Sequence, residues 1–243
     1  MKVVILGAGQ GKRLLPLTEE VPKALLDIGG KRLIEWQIDA FREAGATEFV
    51  VVTGYRADVM AQFLAGVEQR LGGIAIRTVY NPFYSVADNL ASCWMAREEM
   101  VGDFIQVNGD NLFRAGMVEE LLASPPAPVT VAIGHKPEYD SDDMKVMLDG
   151  DRLTEIGKTL PLEAVDAESI GMILFRDKGP RIWCDMLERA MADPSGLRQW
   201  YLSAIGALAK TEDIRVRSVD GHVWCEVDFP VDLQHARHLV AEW

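Results

Sequence analysis

Leu6-Gly7-Ala8-Gly9-Gln10-Gly11-Lys12-Arg13-Leu14-Leu15-Pro16-Leu17-Thr18, continued by Pro22-Lys23-Ala24-Leu25-Leu26, is the stretch that decides how this chain is read. Ahead of it, Val3–Leu6 is a short β-branched run that predicts a buried strand. Glycines placed after such a strand let backbone N–H groups approach phosphate oxygens with no Cβ in the way. Lys12, Arg13 and Lys23 add the charge that a polyphosphate needs. A turn that merely needs glycines accounts for Gly7, Gly9 and Gly11 but not for the basic residues beside them. A dinucleotide loop requires G-x-G-x-x-G opening directly into a helix. Here Lys12 stands at the third glycine, and Pro16 and Pro22 interrupt any long helix. A Walker A loop requires G-x-x-x-x-G-K-[S/T], but Leu6 replaces its first glycine and Arg13 follows the lysine. Both familiar phosphate loops fail on detail.

Outward from the loop, strands and helices alternate. Apolar positions 33, 34, 38 and 41 predict a helix over Leu33–Ala44 with Gly45 as its stop. Glu48–Thr53 predicts a second buried strand, Ala57–Ala65 a helix and Ile74–Tyr80 a third strand. Asp88 is placed to cap a helix over Asn89–Met100, and Phe104–Val107 predicts a further strand, followed by a short helix over Met117–Ala123. This order predicts an α/β fold: a doubly wound, mostly parallel, Rossmann-like sheet with helices on both faces. From Pro128 the texture becomes β-rich, with short strands at Val129–Ile133, Lys145–Leu148, Arg152–Ile156 and Ile170–Phe175. The turn Asp149-Gly150-Asp151 joins the middle two as a hairpin. Helices over about 179–192 and 197–209 come next. Ile214–Val219 and Val223–Val227 are then expected to pair as a hairpin across Asp220-Gly221, before a last helix opening at Pro230. No linker divides the 243 residues, so one domain is expected.

A chain of this length buries about 70% of its unfolded surface, enough for a sizeable core. No apolar run approaches the ~18 residues of a membrane span, and the opening run is too short for a secretory core. Cys93, Cys184 and Cys225 are odd in number and far apart, which suggests neither a disulfide framework nor a zinc site. The four histidines show no metal-ligand spacing. A cytoplasmic protein is expected, with no nucleic-acid or membrane partner. The net charge of −12 argues against a phosphate-backbone binder, but it is unevenly spread. Residues 1–32 carry six Lys/Arg and three acids, a balance of +3, which leaves −15 for the rest. A small positive island on an acidic protein suits a compact anion.

Two carboxylate positions add to the loop. Phe104-Ile105-Gln106-Val107-Asn108-Gly109-Asp110-Asn111 puts Asp110 just past a buried strand, at the edge where α/β sheets bind ligands, although Asn-Gly and Gly-Asp are also ordinary turn dipeptides. Glu226-Val227-Asp228 places two acids on one face of a strand near the C-terminus.

The stretch GAGQGKRLLPLT…PKALLDIGG resembles the signature loop of the nucleotidyltransferases that join an NTP to a sugar-1-phosphate or a phosphorylated small alcohol. Those enzymes usually read A-A-G-x-G-x-R-L-x-P-L-T…P-K, and Gly7 here replaces the first Ala. The hairpin with Lys158, the Gly171 strand and Trp224–Asp228 extend the similarity over most of the chain. The resemblance implies that about 1–125 bind the NTP and about 126–243 form a smaller β-rich portion for the acceptor. It further implies that Leu6, Gly7, Ala8, Gly9, Gly11 and Lys12 bind nucleotide, that Arg13 and Lys23 neutralise charge as pyrophosphate leaves, and that Asp110 and Asp228 hold Mg2+. With Arg13, Lys23 and Asp110 as the catalytic residues, no general base is needed, because the acceptor phosphate is already an anion.

Asn81–Trp94 occupies the base-reading region of that family. Asp88-Asn89-Leu90-Ala91-Ser92 looks more like the short bacterial phosphocholine and aminoethylphosphonate cytidylyltransferases than the hexose-1-phosphate enzymes. Asn89 and Ser92 are therefore the candidates for the base, which makes CTP the favoured NTP. Lys158 is similar to the hairpin lysine that holds the acceptor phosphate. Residues 138–168 carry ten acids against three bases, a balance of −7, which suits a cationic head group such as choline or equally a solvated rim. Tyr84, Trp94, Trp200, Tyr201 and Trp224 are the aromatic faces available. Lys158, Glu168 and Trp224 complete the acceptor candidates, for a phosphorylated alcohol, amine or sugar. Sugar-1-phosphate transfer, a non-catalytic NTP-sensing subunit and a homodimer all remain open at this point.

Overall fold

The computed structural model describes all residues, Met1–Trp243. In chain order its elements are β1 (Lys2–Leu6), β2 (Asp27–Ile28), β3 (Lys31–Arg32), α1 (Leu33–Glu43), β4 (Glu48–Thr53), α2 (Ala57–Leu71), β5 (Ala75–Tyr80), α3 (Asn89–Met95), β6 (Phe104–Asn108), β7 (Asn111–Leu112) and α4 (Ala115–Leu122). Then follow β8 (Val129–Gly134), β9 (Lys145–Asp149), β10 (Arg152–Gly157), β11 (Ala167–Phe175), α5 (Gly179–Met191), α6 (Tyr201–Ala209), β12 (Ile214–Ser218), β13 (Cys225–Glu226) and α7 (Pro230–Ala241).

Nine strands form one sheet in the order β5-β4-β1-β6-β11-β8-β12-β10-β9. The expected parallel half is there: β5, β4, β1 and β6 all run together, joined through helices. Beyond β6 the sheet is mixed. β11 lies antiparallel between β6 and β8, and only β8 and β12 restore a parallel pair. Short connections such as the β9–β10 hairpin permit antiparallel pairing, whereas each parallel neighbour needs a long crossover. Alternation along β1 divides the core. Val4 faces one layer with Leu90, Trp183 and Ile205, while Val3 and Ile5 face the other with Ile38, Leu64 and Val118. Each fully buried side chain of this kind contributes about 1.5–3 kcal/mol. A third, smaller cluster of Leu14, Ile28, Leu112, Val227 and Leu233 ties the glycine loop to the C-terminal segment.

Five readings of the sequence change. The hairpin across Asp220-Gly221 does not form. Residues 214–218 pair with β8 and β10, and Cys225-Glu226 pair instead with Leu112-Asn111. Glu226 and Asp228 accordingly do not share a strand face, since β13 ends at Glu226. Helix α2 runs past Gly66 to Leu71, because Met60, Leu64 and Val67 continue one buried stripe and a single glycine costs only about 1 kcal/mol. Helix α6 starts at Tyr201, the preceding residues being held in a 3-10 turn whose Asp193 carboxylate accepts from the Ser195 N–H. Asp88 does occupy the cap position of α3, but its side chain makes no cap hydrogen bond, and α3 stops at Met95 ahead of a tighter turn over Arg97–Glu99.

Candidate active site

The parallel register sets Leu6 beside Asn108, so the glycine loop and the Asn108–Asn111 turn leave the sheet side by side. Their backbones nearly touch. The Gly109 N–H donates to the Leu6 carbonyl at 3.1 Å, and a Cβ on Gly109 would lie 2.7 Å from that oxygen. Glycine is required there by the close approach. Gly11 lies in the left-handed region at φ 74°, and buried Thr18 donates its hydroxyl to the Gly11 carbonyl at 2.8 Å, folding the loop back on itself. From the other end of the chain, the β7–β13 pair and buried Val227 carry Asp228 across to the same spot.

Lys23, 14% exposed, joins the two carboxylates. Its Nζ lies 2.7 Å from Asp110 Oδ2 and 2.5 Å from Asp228 Oδ1. Burial alone would lower the Lys23 pKa, but Asp110 and Asp228 outweigh it and raise it above the ordinary lysine range. Burial likewise pushes Asp228 up, and the charge and hydrogen bond of Lys23, with Arg13 beyond, bring it below the usual carboxylate range. Arg13 reaches Asp228 at 3.3 Å and stacks over Phe229 at 5.0 Å. Glu226 opens onto the same cleft, and its carboxyl is pushed up to about 8, by loss of solvation and then by Asp110 and Asp228.

Two cavities meet at this centre. One, of 270 Å³, is walled by the glycine loop (Leu6, Gly7, Ala8, Gly9, Gly11), Lys23, Tyr84, Asn89 and Ser92. The other, of 470 Å³, is lined by Arg13, Lys136, Lys158, Glu168, Trp224, Asp228 and the acids around them. Asn89, Asn108, Asp110 and Trp200 line both. Lys12 lines neither cavity; it is exposed on an adjoining depression with Gln10 and Ser85, which Gly11, Arg13 and Asp228 also border. Asn89 Oδ1 accepts from the Tyr201 N–H at 2.9 Å, which leaves its amide Nδ2 without a protein partner. Ser92 is buried and its hydroxyl accepts from Asn81 Nδ2 at 3.0 Å.

The larger cleft has three basic and eight acidic side chains on its walls, a formal balance of −5. Lys158 pairs with Asp142 at 3.3 Å and stands 4.7 Å from the Trp200 ring centroid. Glu168 and Asp143 share Lys136, at 3.1 and 2.7 Å. Burial raises Glu168 to about 7 against the pull of Lys136, while the Lys136 hydrogen bond holds Asp143 below its usual value. Lys136, Asp142, Asp143, Phe229 and Asn108 were not singled out from sequence. The two aspartates were visible only as part of a charge run, and Lys136 carries no motif at all. Of the aromatic pool, Trp200 and Trp224 line the cleft and Tyr84 the smaller cavity. Tyr201 is core, and Trp94 packs under Arg97. Cys93 is buried, Cys184 and Cys225 only half-buried, and all three are unpaired. His235 and His238 are exposed on α7. No helix is long and apolar enough to cross a membrane.

Such a cleft suits a polyanionic nucleotide on one side of Asp110 and a smaller, charged partner on the other. The sequence profile of the family described as Nucleotidyl transferase matches residues 2–142, more than half of the chain, and the chain belongs to that family. It is 24% identical to the CTP:phosphoglutamine cytidylyltransferase of Campylobacter jejuni over 96% of this chain and 98% of that one. Its identity to the choline-phosphate cytidylyltransferase of Streptococcus pneumoniae is 33% over 125 residues, 51% of each chain. Among solved structures, the inositol-1-phosphate CTP transferase from T. maritima shares the fold, with a TM-score of 0.81 at 20% identity over 99% of this chain and 95% of that one.

Proposed function

We propose that this nucleotidyltransferase transfers CMP from CTP to a phosphorylated small molecule bearing a cationic group, with phosphocholine as the leading acceptor, and releases pyrophosphate. The observation that carries the reading is the shared wall: the glycine-loop cavity and the acid-rich cleft meet at Asp110, where Lys23 and Asp228 converge. The walls of the larger cleft stay net negative even with Glu168 and Glu226 protonated, which favours a cationic head group, and the aromatic faces of Trp200 and Trp224 suit the same ligand. The cytidylyl relatives support the choice of base.

The residues also fit a divalent cation. Asp110 Oδ1 is buried without a hydrogen-bond partner, and both carboxylates already converge on one ammonium. Mg2+ takes one or two carboxylates plus phosphates and water, so two aspartates are enough. Asp110 and Asp228 would hold it, and once bound it supplies positive charge at the transferring phosphorus. The chain's own groups do the rest. Backbone N–H groups of the glycine loop take the triphosphate, Lys23 offsets charge beside Asp110, and Asn89 turns its free Nδ2 to the base edge. Lys158 orients the acceptor phosphate, whose oxygen attacks the α-phosphorus as the bond to pyrophosphate breaks, and Arg13 offsets the charge that leaves with pyrophosphate. Orientation and electrostatics supply most of the rate.

The test is a matrix of four NTPs against phosphocholine, phosphoethanolamine, aminoethylphosphonate, inositol phosphate and hexose-1-phosphates, read as pyrophosphate release. CTP with phosphocholine is expected to lead, and Asp110→Asn to abolish release with the fold intact. Turnover confined to hexose-1-phosphates would move the acceptor to sugars, and nucleotide binding without any release would make the chain a sensor.

A further inference from the structure

Lys145 opens β9 beneath the acid-rich cleft and is only 2% exposed, yet no carboxylate pairs with it. Its ammonium donates to three backbone carbonyls: Asp140, Lys158 at 2.9 Å and Asp143 at 3.4 Å. Three donors meet three acceptors. Burying an ammonium is unfavourable unless every proton is matched, and here each of the three is. What the cation does there is local and specific. Two of the carbonyls belong to the loop 140–143 and the third to the residue just after β10. No backbone hydrogen bond joins that loop to that turn, so Lys145 ties them from below while the Asp142–Lys158 pair meets above. The loop presents Asp142 to Arg13 at 3.5 Å and Asp143 to Lys136 at 2.7 Å, and the turn presents Lys158.

We propose that Lys145 is a positioning residue for the acceptor, fixing the spacing of Asp142 and Asp143 against Lys158 without touching substrate. This rests on the assignment of the larger cleft to the acceptor. Lys145→Met removes the tie but leaves three carbonyls without their donor, so the melting temperature is expected to fall modestly with the fold kept. With CTP and phosphocholine, the KM for phosphocholine should rise at least fivefold and the KM for CTP stay within twofold. Amide hydrogen exchange over 140–143 and 158–160 should speed up at least fivefold, whether or not that acceptor is turned over. Lys145→Arg covers the case in which the Met variant fails to fold. It keeps the charge, but a planar fork cannot meet three carbonyls set around a point, so the same split in KM is expected. A phosphocholine KM within twofold of the parent, both KM values rising together, or unchanged exchange in the two segments overturns the proposal. A parent that releases no pyrophosphate with any acceptor overturns the functional reading instead, and the exchange experiment still decides the role of Lys145.

Discussion

Gly171→Ala tests how the sheet builds the site. Gly171 sits at a register shift in β11 with φ 70°, and a Cβ there would lie 2.3 Å from Asn108 Nδ2 and 2.7 Å from Asn108 Cγ. Left-handed backbone costs an alanine about 1–2 kcal/mol. The overlap also forces Asn108 aside, and Asn108 Oδ1 accepts the Tyr201 hydroxyl at 3.0 Å. Tyr201 is fully buried, so its stranded hydroxyl costs about 1–3 kcal/mol more. The expected destabilisation is therefore about 2–5 kcal/mol in urea unfolding. Asn108→Ala strands the same hydroxyl and should cost about 1–3 kcal/mol by itself. If the clash acts through Asn108, the double variant is no less stable than Gly171→Ala alone, and the coupling equals the lost hydrogen bond. Additivity of the two substitutions within about 0.5 kcal/mol would refute the reasoning, because contacting residues that share one hydrogen bond cannot lose it twice.

Three further outcomes follow from the same geometry. Lys23→Met leaves Asp110 and Asp228 facing each other without their cation, so pyrophosphate release should fall about 10²–10³-fold at saturating CTP, and a rate within threefold of the parent would remove Lys23 from the reaction. Asn89→Asp keeps the oxygen that accepts the Tyr201 N–H but loses the free Nδ2 donor. Stability should hold while the CTP KM rises about tenfold, the worth of one hydrogen bond, and an unchanged KM would place the base elsewhere. Glu168, raised to about 7, binds a proton in the folded state that the unfolded chain gives up near pH 4.3. The stability this group contributes is thus complete below about pH 4.3 and lost as pH climbs through about 7, by up to about 4 kcal/mol. Asp143, held low by Lys136, titrates below that window. Unfolding curves from pH 4.5 to 8 should converge on those of Glu168→Gln at the acid end and fall beneath them at the alkaline end; parallel curves would contradict the assignment.

The glycine loop, the parallel half of the sheet and the carboxylate at Asp110 were legible in the linear chain, because each rests on neighbours in sequence. A β-branched run, three glycines and the turn after a strand specify local backbone whatever the rest of the molecule does. The cleft beyond Asp110 was legible only in part. Lys158 and Trp224 stood out through resemblance, whereas Lys136, Asp142 and Asp143 are ordinary surface residue types that gain meaning from the partners they meet. The strand at 225–226 shows the limit most sharply. Its local pattern fits a hairpin with 214–218, yet β12 is already flanked by β8 and β10, so the segment pairs with β7 instead and delivers Asp228 to Lys23. Strand order is a competition among partners far apart in sequence, decided by which burial and which hydrogen bonds are satisfied together. The sequence by itself determined where the glycine loop lies and what surrounds it locally. The tertiary structure alone decided which carboxylates share one ammonium, because residues 23, 110 and 228 are neighbours only after the sheet has closed.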